Sequence, residues 1–133
     1  MNLAKGTFEV ARTAEPPYDT AEGATLARSR FEKTFSGGLR ATSVVQMASA
    51  LSPVKGSAGY VALERVVGEL DGRSGTFVLQ HSGTMDRGRS SLSVTVVPDT
   101  ATGELVGLRG NMTIDIVEGR HDYTFEYSFS PNA

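Results

Sequence analysis

Lys33, Glu64 and His81 each alternate with large apolar residues in this 133-residue chain, and they carry most of the chemistry the sequence offers. Lys33 lies two residues from both Phe31 and Phe35. A β-strand sends every second side chain to one face, so the ammonium is expected inside the sheet or at its edge. A buried ammonium is costly unless paired, and Glu64 is its natural partner if the face carrying Tyr60, Ala62, Glu64 and Val66 points inward. Such a pair orients a polar ligand group or serves as acid and base. The plainer alternative is a lysine at a strand end reaching water on its long stem, with Glu64 in a surface ladder. His81 shares its side with Phe77 and Leu79 while Gln80 points away, so His81 is the inward member of that pair. An imidazole there can transfer protons, and it equally suits a hydrogen-bonded structural role. Tyr60, Tyr123, Phe125 and Tyr127 read either as an aromatic wall for a ligand or as core packing. The candidate ligand-binding set is therefore Lys33, Tyr60, Glu64, His81 and Tyr123, and no residue is assigned as catalytic.

Other constellations fail on geometry. Ser82 follows His81 directly, and neighbours on a strand face apart, so they form no nucleophile and base pair. The spacing of His81, His121 and Glu64 matches no metal-ligand motif, and His121, beside a turn, is expected to face solvent. Gly68, Gly72 and Gly75 bracket a hairpin and precede a strand, which lacks the helix end a phosphate loop needs. No cofactor is expected.

Composition narrows the classes further. With 39% hydrophobic and 21% charged residues, the chain is expected to form one domain over 1–133 and to bury roughly two-thirds of its unfolded surface. Cysteine is absent, which removes thiol nucleophiles and thiolate metal sites and fits a reducing compartment. Thirteen basic and 15 acidic residues leave a formal net charge of -2, and no basic run is interleaved with aromatics, so nucleic acid is not an expected partner. The opening Met1-Asn2-Leu3-Ala4-Lys5 lacks the apolar stretch of a signal peptide, and no segment is long and apolar enough for a membrane-spanning helix. A cytoplasmic location without membrane association is the expectation.

Strands must position these side chains. The stretch from Gly56 to His81 alternates apolar and polar residues on both sides of Asp71-Gly72, a pair suited to the positive backbone angles of a tight hairpin turn. Further strands are expected near Gly6–Arg12, Leu26–Ser36, Leu39–Ala48, Leu92–Val96, Met112–Ile116 and His121–Phe129. Both faces of the strand from about Ser57 to Leu70 are partly apolar, so periodicity does not choose its inner side. Thr13–Ala24, with Pro16-Pro17, is the longest irregular stretch and the expected mobile flap, and the glycine-bounded segment near 103–109 is read as one short helical turn. Eight short strands without substantial helix predict an all-β fold, a single closed antiparallel barrel, with an open two-sheet sandwich as the alternative. A barrel of about eight strands is either filled by side chains or just wide enough for one small ligand.

The segments GSAGYVALERV from Gly56, GRSGTFVLQH from Gly72, VTVVPD from Val94 and TGEL from Thr102 resemble a bacterial family of unknown function, itself similar to the allene oxide cyclase barrel. The resemblance runs from Gly6 through the Tyr123-x-Phe125-x-Tyr127 pattern. It implies an eight-stranded calycin-like barrel and supports the helical turn, since related cyclase and dirigent barrels carry a similar glycine-bounded segment. It implies no activity. The plant cyclases bind an unstable fatty-acid epoxide in an apolar cavity and steer its ring closure, and their catalytic residues do not map onto this chain. Glu9 is the one acid on the first strand, but Phe8 and Val10 claim the inner face, so Glu9 is expected to face water.

Three functions follow as expectations. The first is a barrel that binds one small, mostly apolar molecule, with Lys33, Glu64 and His81 supplying polar contacts. The second is a cofactor-independent isomerase or cyclase that confines a reactive substrate and moves one proton. The third is a non-catalytic protein with a filled barrel whose outer face builds a homo-oligomer.

Overall fold

Alternation and turn chemistry together produce a closed sheet. The computed structural model describes residues 1–130, in which β1 (Asn2–Ala14), β2 (Thr25–Gly37), β3 (Leu39–Leu51), β4 (Ala58–Leu70), β5 (Arg73–Asp86), β6 (Arg89–Val96), β7 (Leu108–Val117) and β8 (Arg120–Phe129) follow one another around the barrel. Antiparallel pairing of β8 with β1, from Asn2 opposite Tyr127 to Phe8 opposite His121, closes it. At the β4–β5 turn Asp71 and Gly72 both take positive φ, 48° and 87°, which matches the right-handed twist of the flanking strands. The seam between β6 and β7 is the weakest, with Thr95 opposite Asn111 as its one registered pair.

The one short helical turn expected near 103–109 is present. A single 3-10 turn covers Gly103–Leu105, and β7 already begins at Leu108. Leu105 and Leu108 thus enter the core from different elements, one from the turn and one as the first residue of a strand paired with Phe129. Thr102 ties the turn to the barrel wall: its N–H donates to the Thr76 carbonyl at 2.8 Å and its Oγ1 accepts from the Thr76 N–H at 3.1 Å.

β1 extends through Ala14, so the irregular connection is shorter than expected from the sequence. That connection is bound along β2, where the N–H groups of Tyr18 and Leu26 donate to the carbonyls of Leu26 and Asp19 at 3.0 and 2.8 Å. The Arg28 guanidinium lies 5.2 Å from the centre of the Tyr18 ring.

The strand whose inner side was ambiguous is resolved. Ala62, Glu64, Val66 and Leu70 of β4 are buried, whereas Val61, Leu63 and Val67 face solvent. One end of the barrel is packed solid by Leu39, Leu70, Phe77, Leu105, Leu108 and Phe125. Fully burying such a side chain is worth about 1.5–3 kcal/mol, so this end supplies a large share of the hydrophobic stabilisation.

Candidate functional site

Four adjacent strands bring the polar residues together on the inner wall above that core. On β2 and β3, Lys33 and Ser43 are direct cross-strand partners. Glu64 of β4 stands opposite Val45 on one side and Leu79 on the other, and His81 of β5 stands opposite Ala62. Ser43, Glu64 and His81 are therefore diagonal neighbours, close enough for their side chains to meet.

Glu64 is the centre of the group and is 0% exposed. Its Oε1 receives Lys33 Nζ at 3.2 Å and meets His81 Nε2 at 2.7 Å, while Ser43 Oγ donates to Oε2 at 2.5 Å. Burial by itself raises the carboxyl's pKa, but the His81 hydrogen bond, the Lys33 charge and the Ser43 hydroxyl together outweigh it and hold the group below the ordinary carboxylate range. Lys33 gains a second form of support, because its Nζ lies 4.5 Å from the centre of the Phe8 ring and 5.8 Å from that of Phe35.

Above this base the barrel opens into a cavity of about 390 Å³. Phe31, Val45, Met47, Leu92, Ile114 and Ile116 are among its apolar walls, and Lys33 and His81 reach it from below. Ile116 remains 69% exposed, and Leu92 and Val10 are exposed as well, so the rim offers apolar surface to whatever enters. A groove of about 410 Å³ on the outside, between Glu32, Thr42 and Arg65, has walls of mostly solvent-facing side chains.

The five residues proposed from sequence divide four to one. Lys33, Glu64 and His81 meet by hydrogen bonding; Lys33, His81 and Tyr60 line the cavity, and Glu64 is fully buried behind them without lining it. Tyr60 stands directly opposite Gly83, and a Cβ on that glycine would fall 2.2 Å from the tyrosine ring, so Gly83 leaves the space in which the ring lies. Burial raises the Tyr60 phenol pKa and keeps it a neutral hydroxyl.

Tyr123 stands apart. Its hydroxyl accepts from the Leu39 N–H at 2.9 Å and donates to the Ser36 carbonyl at 2.8 Å, fastening β8 to the β2–β3 turn beneath the cavity. Tyr123 is buried in the core, and its depth along the barrel separates it from Lys33, Tyr60 and His81, which line the cavity.

Two residues join the site that sequence reasoning left out. Ser43 shares its inward face with Ala41 and Val45, a parity signal that was present without showing what the hydroxyl would meet. His121, expected to face solvent, is half-buried, stacks on Phe8 with centres 4.9 Å apart and lines the cavity. It sits two residues before inward Tyr123, so its parity also pointed inside. Glu9 faces water as expected. Among the described residues, no three acidic, histidine or cysteine side chains gather as a set able to hold a metal ion.

A family profile described as a protein of unknown function, DUF3224, matches residues 4–127. No curated protein matches the chain. A crystal structure of a DUF3224 protein of unknown function from Shewanella oneidensis MR-1 is similar to this one at 48% sequence identity and a TM-score of 0.93, with 98% of this chain and 99% of that chain covered. The chain belongs to the DUF3224 family.

Proposed function

We propose that this member of the DUF3224 family binds one small, mostly apolar molecule in the open end of its barrel. The observation that carries the reading is the cavity of about 390 Å³, walled by apolar side chains over a base containing Lys33 and His81. That volume falls within the roughly 300–1,000 Å³ of small-molecule sites, and a few convergent polar groups beneath apolar walls are their usual makeup. Phe8, Phe31 and Tyr60 supply broad surfaces for contact, and the Glu64 hydrogen bonds hold the polar groups in place before anything binds.

Thermal-shift and native mass-spectrometry screens with fatty acids, terpenoids and aromatic acids test this. A ligand at one hundred times its Kd stabilises the folded protein by about 2.7 kcal/mol. Ile114→Trp places an indole in the hollow and is expected to abolish that shift without unfolding the barrel. A panel without any one-to-one binder, or binding indifferent to Ile114→Trp in a folded variant, overturns the reading.

The 2.7 Å contact between His81 and Glu64 favours a second reading, a cofactor-independent isomerase or cyclase. Glu64 would orient the imidazole, and His81 would move a proton within the bound molecule. A functional relation to allene oxide cyclases belongs to this reading, as analogy at the level of fold. Recovery of a bound compound in altered form, with turnover lost in His81→Ala while affinity persists, would support it; recovery of every ligand unchanged would sink it.

A further inference from the structure

The ionisable side chains that line the cavity include no acid. Arg12 of β1 stands at the rim, where its Nη2 donates to Ser29 Oγ at 3.2 Å and its guanidinium lies 5.9 Å from the centre of the Phe31 ring. Lys33 of β2 and the two histidines, His81 of β5 and His121 of β8, line the cavity itself. A histidine is neutral or positive and never negative, and the Tyr60 phenol of β4 stays protonated. The residues from β3, β6 and β7 that line the cavity are uncharged. No acid is among the lining residues: Glu64 is buried beneath the cavity with Lys33, His81 and Ser43 already on its oxygens, and Glu15 and Glu118 follow β1 and β7 at the same end as exposed residues outside the lining.

Lys33 also retains donor capacity. An ammonium has three N–H bonds, and Glu64 Oε1 is the acceptor found for Lys33 among the described residues. Phe8 and Phe35 offer ring faces to the same ammonium, which attract its charge without accepting a conventional hydrogen bond. In a cavity of low polarity, an oxygen anion placed against Lys33 satisfies an N–H that the protein does not.

We infer that the cavity selects an apolar molecule bearing a single carboxylate, with the carboxylate on Lys33 below the rim cation Arg12 and the apolar body against Phe31, Leu92 and Ile114. This rests on the small-molecule reading above and adds charge selectivity to it. The same geometry disfavours an ammonium head, which would meet Lys33 as a like charge.

Isothermal titration with octanoate, 1-octanol and octylamine isolates the head group on one chain. Octanoate is expected to bind at least tenfold tighter than octanol, and octylamine more weakly than either, with Ile114→Trp abolishing octanoate binding. The double variant Lys33→Met/Glu64→Gln removes the pair together, so neither charge is stranded, and is expected to bring octanoate within threefold of octanol. A thermal melt verifies that each variant is folded. Octanol binding as tightly as octanoate, or an undiminished octanoate preference in the folded double variant, overturns the charge assignment and leaves the small-molecule reading intact. No binding of octanoate at millimolar concentration overturns it too, and the wider ligand panel then decides the parent reading separately.

Discussion

The two ends of the barrel use the same alternating strands for opposite purposes. At one end Phe77 and Phe125 stack with centres 5.9 Å apart, and Leu105 is pressed in by the 3-10 turn until 1% of it is exposed. At the other, Leu92 and Ile116 occupy equally inward positions and stay exposed around a cavity. The difference is closure. The connection from β6 to β7 folds back across the first end, whereas the β1–β2 connection at the second end runs along β2. A barrel of eight strands can be filled or hollow, and here each condition occupies part of its length. Lys33, Ser43, Glu64 and His81 lie where the two meet.

If the packed end carries the stability, removing its contents should cost most. Phe125→Ala is expected to destabilise by about 3–5 kcal/mol, read as a fall in the urea midpoint at constant slope, because the closed end cannot collapse into the void. Ile116→Ala at the open end should shift the midpoint by a small fraction of that. Equal losses at the two positions would break the contrast.

The junction should respond to single and paired changes in opposite ways. Glu64→Ala leaves the Lys33 ammonium without its carboxylate and is expected to cost about 3–5 kcal/mol, whereas Lys33→Met/Glu64→Gln should cost far less. The pH dependence has a fixed sign. Because the folded protein holds Glu64 below its ordinary value of 4.5, its stabilising contribution is present above pH 4.5 and is lost as pH falls through the lowered folded value. Acid unfolding of the double variant should lack this component. If the two acid profiles coincide, the carboxylate is not the acid-sensitive element at the junction.

How much of this contrast was legible in the sequence depends on how local each signal is. Asp71-Gly72 and the alternation of Tyr123, Phe125 and Tyr127 act between near neighbours, so the strands and the barrel could be read directly. Parity likewise put Lys33 and His81 inside. Register is not local: that Ser43 lies across from Lys33, or that Glu64 falls diagonal to His81, depends on how strands slide past one another. Depth along the barrel is equally hidden, which is why Tyr123 resembled a ligand contact and His121 a solvent-facing strand end. The inner face of β4 stayed open because its outer face carries Val61, Leu63 and Val67, so hydrophobicity alone did not distinguish inside from outside.

The smallest expected effect lies back at the closed end, in alkali. The Tyr127 hydroxyl donates to the Asp71 carboxylate in the β4–β5 turn. Burial, then the hydrogen bond to Asp71 and its negative charge, push the phenol pKa up to about 12. A raised value means that the contribution is complete below the ordinary pH of 10 and disappears as pH rises through about 12. Tyr127→Phe should therefore flatten the stability profile above pH 10 while leaving the contribution of Glu64 to the acid limb unchanged. Steepening of the acid limb in this variant would mean that the ends are coupled through the shared wall, and the division between a packed support and an open site would need revision.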